Sequence, residues 1–280
     1  MRRHEFLGHL HRLVRPRNYL EIGVANGASL RLSRVPSIAI DPGFQIGVPL
    51  QCDLQLARVT SDEFFSRPDP IRHLRSSRNP IRNIRRGRPL FDYYLGGTRL
   101  DLAFIDGMHQ FDFVLRDFMN VERQSGWASV IAFDDMLPRD VDEAARDRHT
   151  EQWTGDVYKL MPVLAKHRPD LFAIPVDTEP TGILVVLGAD HDSRVLAERY
   201  DEITREWAVP DPQQVPDWIL ERRTAVAPEA LLGSPLWGDL VHARARHASR
   251  AAGLRMIDRH LSRLGLTRAG RTAVGPPRSP

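Results

Sequence analysis

Five short apolar runs alternate with helix-periodic segments through the first two thirds of the chain, and this alternation constrains the fold more than any other feature. The runs are Tyr19–Gly23, Ser37–Asp41, a third near Ala57–Thr60, Leu100–Ile105 and Ala128–Phe133. Runs of four to six apolar residues separated by helical patterns read as buried parallel strands in βαβ units. Helical segments are expected through Ser29–Leu32, over Phe111, Val114, Leu115 and Phe118 at spacings of three and four, and from 155 to 167. Two further runs, Leu171–Val176 and Gly182–Leu187, follow with only a short turn between them. A parallel return needs a dozen residues or more, so this last pair must be antiparallel. The pattern predicts an α/β fold: a Rossmann-like, seven-stranded, mostly parallel sheet ending in a C-terminal antiparallel hairpin.

The order divides the chain into an α/β domain over residues 1–190, a helical C-terminal extension over 191–266 and a disordered tail over 267–280. The extension includes one long amphipathic helix from about 236 to 264. Residues 67–97 interrupt the sheet pattern with arginines at 72, 75, 78, 82 and 85, a spacing of three and four that reads as an insertion or lid. Its occupant, if any, is an anionic substrate or nucleic acid; the bland alternative is a solvated basic loop.

Composition narrows the class further. The 280 residues are 42% hydrophobic and 27% charged, as in globular domains. Cys52 is the single cysteine, so no internal disulfide supports the fold and a reducing compartment is expected. No apolar run approaches the roughly 20 residues that span a bilayer. The start, MRRHEFLGHLHRL, breaks its apolar residues with histidine and arginine, unlike a signal peptide. Together these predict a cytoplasmic location with no membrane partner. Lys159 and Lys166 are the only lysines among 39 basic residues, so arginine carries weight here by placement rather than abundance.

The first chemical signal is Glu21-Ile-Gly23-Val-Ala25-Asn-Gly27-Ala-Ser29, directly after the first strand. Gly23 permits a sharp turn and a close backbone approach, and Gly27 does the same where a helix would begin. The spacing is E-x-G-x-x-x-G, not the G-x-G-x-x-G of a dinucleotide fingerprint. Asp41 ends the second strand, where a carboxylate can accept from both hydroxyls of a ribose; it can equally cap the turn before Pro42. Turn and acid together predict an adenosine-containing ligand at the carboxyl edge of the sheet.

The second signal is a set of acids. Strand four ends Phe104-Ile105-Asp106-Gly107-Met108-His109, and strand five ends Phe133-Asp134-Asp135-Met136. Three carboxylates at neighbouring strand ends cost energy without a cation, and an all-oxygen set suits Mg²⁺, Ca²⁺ or Mn²⁺. The alternative is that these aspartates cap helices and bind water. His109, with an ordinary pKa of about 6.5, is suited to general base catalysis, or else orients or caps the helix it heads. Trp153 and Lys159 follow in a loop placed to cover an acceptor, or pack in the core.

EIGVANGAS, IAIDP, FIDGMHQFDFVLRDF and VIAFDDM, taken in that order, resemble class I S-adenosylmethionine (SAM)-dependent methyltransferases, closest to the branch of macrocin-type O-methyltransferases and cephalosporin hydroxylase-like proteins. The resemblance covers about residues 18–188. It implies that Glu21, Gly23, Gly27 and Ser29 surround the methionyl part of SAM, that Asp41 binds its ribose, and that Ser61 lies on the adenine side, unless Ser61 is a helix N-cap. It also implies Mg²⁺ or another divalent cation on Asp106, Asp134 and Asp135, with catalysis by His109 and Asp106. The chain departs from several metal-dependent relatives at Met108, which stands where they have an acid and cannot take a proton. The expectation is divalent-metal-assisted O-methylation of a small molecule or glycan, with the amphipathic C-terminal helices as the surface through which a homo-oligomer would form. The alternatives are a cofactor-binding module without chemistry, favoured by Met108, and an RNA methyltransferase using the arginines of 67–97.

Overall fold

A computed structural model describes residues 1–75 and 98–266. The greater part of the expected 67–97 insertion and the whole 267–280 tail lie outside the described residues. The sheet has seven strands in the order β3-β2-β1-β4-β5-β7-β6. The strands are β1 Tyr19–Ile22, β2 Ser37–Ile40, β3 Leu54–Ala57, β4 Leu100–Ile105, β5 Ser125–Phe133, β6 Phe172–Val176 and β7 Ile183–Leu187. β1 pairs in parallel with β2 and β4, β2 with β3, and β4 with β5; β7 runs antiparallel to both β5 and β6. The fold is therefore Rossmann-like, mostly parallel, with the antiparallel hairpin at its C-terminal edge.

Three local expectations are corrected. The third strand lies at Leu54–Ala57, three residues before the apolar run expected near Ala57–Thr60. It is the edge strand and only half buried, so its alternating Leu54-Gln55-Leu56 gives a weak signal. The helix expected through Ser29–Leu32 is a single 3₁₀ turn over Leu30–Leu32, because β2 starts at Ser37 and Pro36 precedes it. The long helix expected from 236 to 264 is two helices, broken at His247 in the left-handed region (φ 51°) and restarted by Ser249, whose side chain accepts from Ala252 N–H at 3.3 Å.

The helices are α1 Arg3–Val14, α2 Ser61–Phe65, α3 Phe111–Arg123, α4 Leu160–His167, α5 Val195–Glu198, α6 Tyr200–Trp207, α7 Asp217–Leu220, α8 Pro228–Leu232, α9 Leu236–Ala245 and α10 Arg250–Arg263. Strand residues alternate between two buried layers. Leu20, Ile22, Ile38, Ile40, Ile105 and Phe133 meet Phe111, Leu115 and Phe118 of α3. Tyr19, Ala39, Leu102, Phe104 and Ala132 meet Phe6, Leu10 and Val14 of α1, together with Trp237, Leu240, Ile257 and Leu261 of α9 and α10. α9 and α10 thus form, with α1, the layer on one face of the sheet, whereas Leu196, Ile203 and Ile219 of α5, α6 and α7 join the layer of α3 on the other. Among the described residues no helix is long and apolar enough to cross a membrane.

The register brings Ile22 beside both Ile40 and Ile105, and Ile105 beside Phe133. The next residue of each strand extends the ladder: Gly23 N–H donates to Ile40 (2.9 Å), Asp41 to Ala57 (3.1 Å), Asp106 to Ile22 (2.8 Å) and Asp134 to Ile105 (3.1 Å). Gly23, Asp41, Asp106 and Asp134 therefore stand in one row at the carboxyl edge, where the crevice of an open α/β sheet lies.

Candidate functional site

The glycine turn is built for close approach. Gly23 has φ 83°, and a Cβ there would lie 1.7 Å from the Asp106 carbonyl oxygen. Only glycine admits both the left-handed backbone and that contact. The closeness that the sequence suggests for a ligand is used instead to press the β1 turn against the end of β4. Gly27, also at φ 83°, lies against Ile46 and Val48 of the segment after β2. That segment is tied to the turn by Gln45 N–H on Ala25 C=O (2.8 Å) and Gly47 N–H on Asn26 C=O (3.0 Å).

Asp41 organises the same turn. Its Oδ2 accepts from Val24 and Ala25 N–H, both at 2.8 Å, and its Oδ1 from Gly43 N–H at 2.6 Å. A carboxylate offers roughly four acceptor positions, and three are engaged, so about one remains for a ligand hydroxyl rather than the two that a ribose diol would use. Glu21 is fully buried beneath the turn. It accepts from Tyr19 Oη and from Ser29 Oγ, each at 2.6 Å. Burial pushes its pKa up to about 8 in spite of these two bonds, and the charges of Asp106 and Asp41 push the same way. The resemblance puts Glu21 and Ser29 around a methionyl group; here they are bonded to each other and brace the turn from below.

Ser61 is the first residue of α2, and the N-cap is Thr60, whose hydroxyl accepts from Glu63 N–H at 3.2 Å. Ser61 bonds the side chain of Asp117, a buried carboxyl of α3 whose pKa burial raises to about 7 in spite of that bond.

The second half of the row is charge-dense. His109 Nε2 lies 3.3 Å from Asp106 Oδ1 and 3.3 Å from Asp135 Oδ2. His109 Nδ1 lies 2.8 Å from the Trp153 carbonyl, and the two rings stack with centroids 5.2 Å apart. A carbonyl only accepts, so Nδ1 carries a proton and Nε2 is the atom free to exchange one. Burial alone would lower the pKa of His109, but its hydrogen bond to Asp106 and the charges of Asp135 and Asp106 outweigh this and carry it to about 9. Asp135 sits in the left-handed region (φ 62°), which aims its side chain at the cluster; Thr181 Oγ1 donates to its Oδ1 at 2.5 Å. Burial and mutual repulsion raise the pKa values of Asp106, Asp134 and Asp135.

The expected metal trio is not the trio that gathers. Asp106, His109 and Asp135 offer ligand atoms within 4.8 Å of one another. Asp134 instead accepts on its Oδ2 from Arg3 of α1 and leaves its Oδ1 buried without a partner among the described residues. Two carboxylates and an imidazole form a mixed oxygen and nitrogen set that suits Mn²⁺, Fe²⁺ or Zn²⁺ better than Mg²⁺. In front of the cluster lies a cavity of about 680 Å³ lined by Arg2, Arg3, His109, Asp135, Arg139 and Trp153, among others. Met108, 53% exposed, is a large apolar side chain on the same strand end. Lys159 is buried in an ion pair with Asp156 (2.9 Å) and so belongs to the support of the loop.

Arg3, Trp153 and Thr181 come from elements far apart in sequence and contact the cluster directly. Trp153 stands out in sequence only as a loop aromatic, and Thr181 carries no local signal. Arg3 has one: basic residues in the first turn of an amphipathic helix oppose its dipole. Gly155 explains how the Trp153 segment reaches the site, since at φ 65° a Cβ would lie 1.6 Å from the His109 carbonyl oxygen.

No family model matches the sequence, and a comparison with curated proteins finds no match. Among solved structures the chain is similar to the O-methyltransferase TomG from Streptomyces achromogenes, involved in tomaymycin synthesis and solved with SAM. The identity is 19%, the TM-score 0.44, and the match covers 66% of this chain and 78% of that one. It is similar also to cofactor-bound Rv0187 from MTB (14% identity, TM-score 0.44, 66% and 78% covered) and to the O-methyltransferase from Bacillus cereus in complex with SAH (14%, 0.40, 66% and 80%). Likeness at this level does not define a family.

Proposed function

We propose that the chain is a SAM-dependent methyltransferase that methylates a hydroxyl of a small molecule or glycan. The observation that carries the reading is the contact between its two halves. The glycine turn with Asp41 meets the strand end bearing Asp106 and His109, so a ligand lying on the turn has its reactive end beside a proton-exchanging group.

Methyl transfer is an in-line displacement by an oxygen whose proton must be removed or weakened. His109 is the group for this in its neutral form: with its pKa carried to about 9 it is an imidazolium at neutral pH, so it takes a proton only in the fraction that has already lost one, and turnover should rise with pH toward that value. The Trp153 carbonyl holds Nδ1 and the stacked indole holds the ring. Asp106 and Asp135 lie against Nε2 and stabilise the imidazolium that forms when it takes the acceptor's proton, and Thr181 holds Asp135 in place. Asp106 and Asp135 are also the carboxylates that would hold a divalent ion, which supplies positive charge to an alkoxide when bound. Holding two reactants in line supplies on the order of 7–11 kcal/mol of such a barrier, which is the service a rigid turn renders.

The test is a mass-spectrometric search of cell metabolites for a gain of one CH₂ after incubation with SAM, run with and without EDTA. A methylated product formed in both arms supports transfer without an essential ion, and one lost on chelation supports metal assistance. Cofactor binding without any methylated product would favour a binding module, for which Met108 in place of an acid is the supporting feature.

A further inference from the structure

The first turn of α1 reads Arg3-His4-Glu5 behind an N-cap of Arg2. A helix N-terminus carries partial positive charge, so guanidinium groups there are disfavoured unless something else holds them. Arg3 is held by the acids. Its Nη1 bonds Asp134 Oδ2 and lies 3.7 Å from Asp106 Oδ2. Its backbone is fixed as well: Arg3 N–H donates to the Glu179 carbonyl (3.0 Å), and Glu179 N–H donates to the Met1 carbonyl (2.9 Å). Phe6, Leu7 and Leu10 anchor the same helix in the core. The guanidinium is thus placed by the fold, against a carboxylate whose side chain is 1% exposed.

We propose that Arg3 is the resident cation of the cluster and guards it against divalent ions. With the guanidinium in place, Asp134 is withheld, and an incoming ion can draw only on Asp106, Asp135 and His109. A guanidinium and a divalent ion cannot share Asp134, because two cations in one poorly solvated site repel strongly. With Arg3 removed, the Asp134 oxygens, one of them already buried and unpartnered, become available, and three carboxylates face one space. Affinity for a hard cation rises with the number of charged oxygen ligands. This inference rests on the cluster alone and stands whether or not the transferred group is a methyl.

The experiment is a titration of the full chain with Mn²⁺, followed by loss of the free-ion EPR signal, on wild type and on Arg3→Met, Arg3→Lys, Asp134→Asn and the Arg3→Met/Asp134→Asn pair. Arg3→Met should bind Mn²⁺ about tenfold tighter or more than wild type. Arg3→Lys, which keeps the charge, should match wild type, and the pair should lose the gain. Asp134→Asn alone removes a buried negative charge beside the site and leaves the guanidinium 3.7 Å from Asp106 Oδ2 without its partner, so it should bind Mn²⁺ more weakly than wild type. Equal affinity in wild type and Arg3→Met would overturn the proposal. So would a gain that survives in the pair, or tighter binding by Asp134→Asn alone. Arg3→Gln, which removes the charge and keeps a polar head, takes the place of Arg3→Met if that variant does not fold.

Discussion

The ends of β1 and β2 and the ends of β4 and β5 lie side by side on one sheet edge, yet they are stabilised in opposite ways. At the first pair almost every polar group is closed on a neighbour: Asp41 on three amides, Glu21 on Tyr19 and Ser29. At the second pair three acids share two cations, Arg3 and His109, and one carboxylate oxygen has no partner. A region closed on itself is a rigid platform, whereas a region of shared charge changes state when a proton or cation moves. The difference suits a platform that holds a ligand beside a centre that reacts with it.

The contact between them is the most sensitive point. Gly23→Ala forces a side chain into the Asp106 carbonyl at an unfavourable φ, and should cost more than about 4 kcal/mol or abolish soluble expression; urea denaturation measures it. His109→Ala should lower kcat by about 10²–10⁴-fold while SAM affinity stays near that of wild type. If the two fell together, platform and reactive centre would not be separable. Thr181→Val removes the hydroxyl that holds Asp135 and should reduce kcat by about fivefold, the worth of roughly one hydrogen bond, with KM for SAM unmoved.

A further effect, read on stability rather than on turnover, depends on pH. Burial raises the Glu21 pKa from its ordinary value near 4.5 to about 8, so the folded state favours the protonated carboxyl. Its contribution to stability is full below about 4.5 and is lost as pH rises through about 8. Glu21→Gln cannot ionise, so its Tm relative to wild type should climb across that window. A difference that stays flat from pH 5 to pH 8 would show that Glu21 is already ionised in the fold.

Legibility in the sequence follows the same division. The parallel strands β1, β2, β4 and β5 are buried on both faces and read as apolar runs, and the closing hairpin follows from its short turn. β3 escapes because an edge strand is half buried and its alternation is faint. The 3₁₀ turn after β1 escapes because the distance to Pro36, rather than propensity, limits it. Asp106, Asp135 and His109 are visible as local motifs at strand ends. Their partners are not: Arg3 is more than a hundred residues from Asp134, and Trp153 reaches His109 only because Gly155 lets two loops touch. Asp134 shows the consequence, since its neighbours in sequence assign it to a metal and a distant helix assigns it to a guanidinium.

The central claim is that the turn bounded by Gly23, Gly27 and Asp41 is a SAM site facing His109. Calorimetric titration of SAM into wild type and Asp41→Ala tests it most directly. The account predicts saturable binding at one site per wild-type chain, weakened about tenfold or more in the variant, as expected for loss of a charged hydrogen-bonding group. No heat with SAM, equal affinity in both proteins, or binding of NAD in its place would contradict it.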